Sequence, residues 1–316
     1  MRISFVGYLR IVTNSLVGEV PQNDRRAISG FILVGFRSHS TKEGCRCILS
    51  HDKEERHISM IIKKTPAQIE EMAKAGELSA KVLREVGARI KPGVSTMELD
   101  RIAEMLIRME GGIPAFKGYG GFPGSICASV NEQIVHGIPS HSVILQEGDI
   151  ISIDTGATVN GWVGDNAWTF AVGKISPEKK RLLEVTEKCM WAGLEAARPG
   201  NHLGDIGAAI QQIAEAEGYG VVREYVGHGI GRNMHEEPNV PNYGRKHSGI
   251  KLEPGMVLAI EPMINMGTYK TKLMSDGWLV CTRDGKPSAH FEKTVAITED
   301  GPRILTTEPN FKRPVN

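Results

Sequence analysis

The chain repeats itself. At an offset of 107 residues, Lys91-Pro92-Gly93 falls on Arg198-Pro199-Gly200, Glu110-Gly111 on Glu217-Gly218, and Leu145–Asp154 (LQEGDIISID) on Leu252–Glu261 (LEPGMVLAIE). His136-Gly137-Ile138 answers His228-Gly229-Ile230 after a shift of 15, which the longer glycine-rich loop Gly111–Gly124 of the first half explains. A duplication restricts the fold because both copies must form the same supersecondary unit. In the first copy Thr65 caps a helix opened by Pro66, and Ile69, Met72, Ala75, Leu78, Val82 and Leu83 follow at three- and four-residue steps. That helix should end before Lys91, and Ser95 with Glu98 opens a second one that runs to about Glu110. Ser125–Val135 reads as a strand. The second copy predicts a helix from Pro177 to about Ala197, another over about Leu203–Glu217, and a strand Val221–Val226 leading into His228. The expected class is α+β, with helices packed on an antiparallel sheet and two halves related by a pseudo-twofold. Equivalent strand ends would meet near that axis, and they carry Asp154 in one half and Glu261 in the other.

One hairpin makes this sharper. Two β-type runs flank Asn160-Gly161, the dipeptide that best supplies the positive φ angles of a type I′ turn. Counting outward, Val159 faces Trp162, Asp154 faces Ala167 and Gly156 faces Asp165. Asp154 and Asp165 then become diagonal neighbours on one face, within about 5–8 Å. Two readings stand at this point. The aspartates are solvated on an exposed hairpin, or they are buried and share a proton or a cation.

Bulk properties exclude some functions. A net charge of +1 over 316 residues argues against a protein built for a polyanion, so no sequence-specific nucleic-acid partner is expected. No apolar run approaches the roughly 18 residues of a membrane span, so no membrane partner is expected either. The five cysteines (Cys45, Cys47, Cys127, Cys189, Cys281) are scattered and odd in number, which suggests a reducing compartment and a cytoplasmic location. Residues 1–59 show neither a clean signal peptide nor a helical period. Their Arg and Ser would suit a transit peptide, and Asp52, Glu54 and Glu55 argue against one. We expect Met60 to be the native start, with residues 1–59 an upstream extension, disordered or absent from the native protein, and residues 60–316 the functional domain.

The candidate ligands are Asp154, Asp165, His228, Glu261 and Glu292. Each has a plainer reading. Gly-His-Gly around His228 could mark a simple turn, Glu261 could end an exposed strand, and Glu292 in HFEKTVAIT could be solvated. Glu224, Glu236 and Glu237 are set aside. Oxygen donors with one imidazole suit Mn, Fe(II), Co or Zn. Four carboxylates and a histidine nearly balance two divalent ions, and two ions about 3.5–4 Å apart can bridge and activate a water.

From about Met60 to Thr306 the chain resembles type I methionine aminopeptidases of the short bacterial kind, which have the pita-bread fold; VHGIP, GDIISID, EYVGHGIG, HEEP, LAIEPM and DGW carry the resemblance. It implies removal of N-terminal methionine when the next residue is small. It also implies that Asp154 and Asp165 hold one ion, Asp165 and Glu292 bridge both, and His228 and Glu261 hold the second. Glu261 would be the general acid/base, His235 would steady the scissile amide, and His136 would contact substrate from the other side. By position the methionine pocket would involve Tyr119, Phe122, Cys127 and Trp278. Phe116, Phe122 and Met234 depart from the commonest bacterial pattern of cysteine, tyrosine and phenylalanine, and should reshape the pocket wall. Asn131, Gln133 and Ser288 match positions whose carbonyls hold a monovalent cation in relatives. The implied partners are nascent polypeptide N-termini at the ribosome, met by a monomer.

Three rivals can be set against this reading. A pita-bread prolidase or Xaa-Pro aminopeptidase shares the ligand set but usually follows a long N-terminal domain. A non-catalytic binding module of the fold typically loses ligands. A metal-stabilised structural protein would leave His136 and His235 without a task.

Overall fold

The computed structural model describes residues 61–307, so the expectation for residues 1–59 lies outside the described residues. Four helices flank antiparallel sheets: α1 (Pro66–Gly87), α2 (Thr96–Met109), α3 (Pro177–Ala196) and α4 (Leu203–Ala216). The helix starts follow the sequence closely. Thr65 accepts from the Gln68 N–H while Gln68 reaches back to the Thr65 N–H, a reciprocal cap. Ser95 accepts from the Glu98 N–H and Ser176 from the Lys179 N–H.

In the first half, the strand Ile150–Val159 is central. Trp162–Ala171 pairs along one edge, and Ile113–Pro114 and Ile126–Val130 share the other. In the second half the sheet order is Gly301–Ile304, Lys293–Thr298, Val257–Ile260, Gly227–Gly229, Glu236–Val240. Every strand pair is antiparallel among the described residues. Each half has its own apolar core. Leu78, Val82, Leu99, Ile107 and Ile151 pack under α1 and α2, while Leu182, Met190, Ile206, Ile210 and Leu258 pack under α3 and α4.

The halves meet along two strands. Glu292 N–H donates to Ala167 O at 2.9 Å, the Thr294 hydroxyl to Asp165 O at 2.8 Å, and the Thr169 hydroxyl to His290 O at 2.9 Å. Residues 165–169 therefore run antiparallel beside 290–294, and the pseudo-twofold passes between them.

Two expected strands are interrupted. Ser125–Val135 splits into Ile126–Val130 and Gln133–Val135, because Asn131 takes a positive φ of 53° and turns the chain. Val221–Val226 is strand only at Gly220–Val221, paired with Ile264 and Asn265; the chain then bends and joins the other sheet at Gly227.

Candidate metal centre and substrate cavity

The hairpin has the expected register. Asn160 and Gly161 have φ of 52° and 75°, Val159 pairs with Trp162, Asp154 with Ala167 and Gly156 with Asp165. Asp154 and Asp165 thus share a face. That face is turned inward: Asp165 is buried and Asp154 half-buried, so the reading of a solvated hairpin is lost.

Three segments of the second half complete the cluster. His228 lies in Gly227–Gly229, beside Val257–Ile260, and both flanking glycines are needed. A Cβ on Gly227 would stand 2.3 Å from Ala259 O, and one on Gly229 2.2 Å from Glu237 O. The motif is a close backbone approach rather than a plain turn. Glu261 follows Ile260, which pairs with Lys293, so Glu261 stands opposite Glu292. His228 Nε2 is 3.8 Å from Asp165 Oδ2 and 3.6 Å from Glu261 Oε1. Donor atoms of Asp165, His228 and Glu292 all lie within 4.8 Å of one another.

The electrostatics of this cluster call for a cation. Two carboxylates about 4 Å apart repel by roughly 4 kcal/mol at an effective dielectric of 20, more than the net ~1 kcal/mol of a hydrogen bond. Burial, reinforced by the neighbouring carboxylates, pushes Asp154, Glu261 and Glu292 well above the usual carboxylate range. Burial pushes Asp165 up to about 7. Burial pushes His228 down to about 3, so its imidazole is neutral; its Nδ1 lies 2.9 Å from Gly229 O, which leaves Nε2 free to ligate. Asp154 Oδ1, Asp165 Oδ1 and Glu292 Oε1 are buried without a hydrogen-bond partner. Orphaned oxygens around a neutral imidazole are the donor set of a divalent metal, and the residues fit one.

Behind the ligands a polar chain ties the halves together. Lys293 Nζ donates to Asn166 Oδ1 (3.2 Å), Asn166 Nδ2 to Ser79 Oγ (2.6 Å), and Ser79 Oγ to Thr155 O (2.7 Å). Thr155, Asn166 and Lys293 each follow a candidate ligand, so alternation turns their side chains to the opposite face. Burial brings Lys293 down to about 8.

Above the cluster opens a cavity of about 220 Å³, lined by all five candidate ligands and by His136, His235, Tyr119, Phe122, Cys127 and Trp278. The five candidate ligands and the predicted catalytic and pocket residues therefore meet in one place. Phe122 and Trp278 pack edge to face at 5.2 Å, and Phe116 and Met234 close the wall. Burial and the nearby aspartates push the Cys127 thiol up, so it serves as an apolar lining group. His235 sits at the rim, stacked on Tyr119, whose hydroxyl is 2.8 Å from His235 Nδ1. His136 faces Tyr225 edge-on at 5.8 Å, and burial lowers its imidazole to about 4. The glutamates set aside have other work: Glu236 makes a buried ion pair with Lys64 at 2.7 Å, and Glu224 accepts from the Thr271 hydroxyl. Asn131 and Ser288 are adjacent, joined by a 2.9 Å bond from Ser288 N–H to Asn131 O.

Sequence reasoning missed Val135, Tyr225, Val226 and Met263 in the lining, and His290 beside Glu261. His290 was findable. It lies two residues before Glu292 in a strand-like run, and hence on the same face.

Residues 70–299 match the metallopeptidase family M24, a match that spans most of the chain. The chain belongs to metallopeptidase family M24. Among M24 relatives, methionine aminopeptidase 1 of Bacillus subtilis is 56% identical over 247 residues, which is 78% of this chain and 99% of its own length. The crystal structure of methionine aminopeptidase from Rickettsia prowazekii aligns with a TM-score of 0.77 at 44% identity, over 78% of this chain and 100% of that one. Prolidase from Pyrococcus furiosus aligns less well, with a TM-score of 0.60 and 25% identity over 79% of this chain and 66% of its own. The M24 chain has the α+β pita-bread fold of these neighbours.

Proposed function

We propose that the M24 chain removes the N-terminal methionine of polypeptides whose second residue is small. The observation that carries this reading is a set of buried, unpartnered carboxylate oxygens on the floor of a cavity walled by Phe116, Phe122, Met234 and Trp278. An unbranched thioether side chain suits such a wall. Methionine aminopeptidase relatives that align over nearly their whole length favour this reading over the prolidase one.

Asp154, Asp165, His228, Glu261 and Glu292 would hold two divalent ions, of Co, Mn, Fe(II) or Zn. When bound, such ions lower the pKa of a shared water and leave open positions for substrate. The chain's own residues do the rest. Glu261, whose carboxyl is raised by burial and by Asp165, takes a proton at a carboxylate oxygen and returns it to the leaving amine. With the Tyr119 hydroxyl donating to Nδ1, neutral His235 keeps its N–H on Nε2, where it can stabilise charge growing on the scissile amide. His136 contacts the substrate from the opposite wall, and the aromatic wall excludes water from the methionine side chain.

We place the catalytic unit in residues 60–316, acting as a monomer on nascent chains at the ribosome in the cytoplasm. Three buried free cysteines (Cys127, Cys189, Cys281) support a reducing compartment, and no helix among the described residues is long and apolar enough to cross a membrane. The test is the Glu261→Ala variant on Met-Ala-Ser. Turnover should fall by about 10²–10⁴-fold, the usual worth of a general acid/base, and a variant that keeps the full rate refutes the assignment.

A further inference from the structure

The sequence offset makes Lys272 the counterpart of Asp165, and Lys272 lies on the exposed strand Thr271–Leu273. The backbone register gives a different answer. In the first half Asp154 stands opposite Ala167, and Gly156 opposite Asp165. In the second half Ile260 pairs with Lys293 and Met263 with His290, in one continuous antiparallel register. Glu261 matches Asp154 at the offset of 107, so Met263 matches Gly156 and His290 falls where Asp165 stands. Glu292 takes the place of Ala167. His290 is thus the pseudo-twofold mate of a candidate metal ligand, diagonal to Glu261 as Asp165 is diagonal to Asp154.

Its surroundings give it one task. His290 is 1% exposed, and its Nε2 is buried without a hydrogen-bond partner. Glu261 Oε2 is 3.5 Å away, within reach of a small side-chain rotation. The other oxygen, Oε1, is 3.6 Å from His228 Nε2. Glu261 therefore stands between two imidazoles, one at each oxygen. The His290 backbone is pinned on both sides by the Thr169 hydroxyl, which bonds its N–H and its C=O at 2.9 Å each. The backbone that carries the ring is therefore held at the contact between the halves.

We propose that His290 is a positioning residue for Glu261: its Nε2–H donates to Glu261 Oε2 and turns Oε1 toward the metal beside His228. This rests on the metal-centre reading above. Partners of this kind orient ligating carboxylates, and losing one typically costs about 10–100-fold in metal affinity or activity.

The experiment compares wild type, His290→Ala and His290→Gln in the full-length chain, with Mn(II) affinity measured by calorimetric titration and Met-Ala-Ser turnover measured in saturating Mn(II). Glutamine keeps an N–H donor and is a poor ligand, so it separates donation from ligation. His290→Ala should bind Mn(II) about 10–100-fold less tightly at the site of His228 and Glu261 and lose a similar factor in kcat with KM little changed, while His290→Gln stays within about 3-fold of wild type. The proposal is overturned if alanine matches wild type in both readouts, or if glutamine falls as far as alanine. Should wild type bind Mn(II) but leave Met-Ala-Ser uncleaved, the peptidase reading fails, and the affinities still decide the role of His290.

Discussion

The two halves share a scaffold and divide the chemistry unequally. The first half supplies both of its candidate ligands, Asp154 and Asp165, from a single hairpin whose register is fixed by a two-residue turn. The second half draws His228, Glu261 and Glu292 from three segments of a five-stranded sheet. The first half also carries the longer glycine-rich loop, and that loop brings Phe116, Tyr119 and Phe122 to the cavity wall. At the register position where the first half has Asp165, the second has His290. Duplication preserved the helices, the central strands and the acidic strand end of each half. At mated positions the two halves differ: one holds the hairpin of two acids and the pocket wall, the other the imidazole and the carboxylate proposed to carry the proton.

This comparison can be broken most decisively at the hairpin. Asp165→Ala removes the acid that faces both His228 and Glu292, and should abolish metal-dependent turnover of Met-Ala-Ser. A variant still active in saturating Mn(II) would mean that the second half holds its metal alone.

Metal removal comes next. Between the ordinary carboxylate range and about 7, folded Asp165 retains a proton that the unfolded chain has released, and Asp154, Glu261 and Glu292 are raised in the same direction. For these four acids the folded state then binds more protons than the unfolded one, so their contribution to stability falls as pH rises; buried His136 and His228 act in the opposite direction, and that contribution levels off above about 7. Chelator-stripped protein should accordingly melt at a lower temperature at pH 8 than at pH 7, and Mn(II) should reverse the loss. A stripped protein with a flat profile would contradict the buried acid cluster.

A smaller effect tests the seam. Asn166→Ala leaves Lys293 Nζ and Ser79 Oγ without their shared partner, and should destabilise by about 1–3 kcal/mol in urea melts. Because Asn166 faces away from the ligands, the loss should appear in stability before it appears in KM. The smallest effect concerns the wall. Phe116→Cys enlarges the first half's pocket and should change KM for methionyl peptides several-fold while leaving kcat near wild type. A collapse of kcat would place Phe116 in the chemistry instead.

Local rules made much of this molecule legible. The Asn160-Gly161 turn counted out the whole hairpin register, and Thr65 and Ser95 marked their helix starts because capping depends on nearby residues alone. The five candidate ligands and the pocket residues were named through the motifs and do converge on one cavity. What the sequence concealed is tertiary. The strand expected over Val221–Val226 breaks because its ends serve different sheets, and no local signal marks that change. The correspondence of His290 to Asp165 stayed hidden because the 22 residues between Asn265 and Ser288, a second small sheet included, separate two paired strands. An offset fixed by sequence alone slides past that insertion to Lys272, whereas backbone pairing does not.

The central claim is that the two halves close on one metal-dependent aminopeptidase centre. Its most direct test is methionine release from Met-Ala-Ser by chelator-stripped protein, with and without added Mn(II), against an Xaa-Pro peptide as control. Release that requires the metal and leaves the Xaa-Pro peptide intact is the predicted result. Release undiminished in chelator, or cleavage of the Xaa-Pro peptide alone, would contradict it.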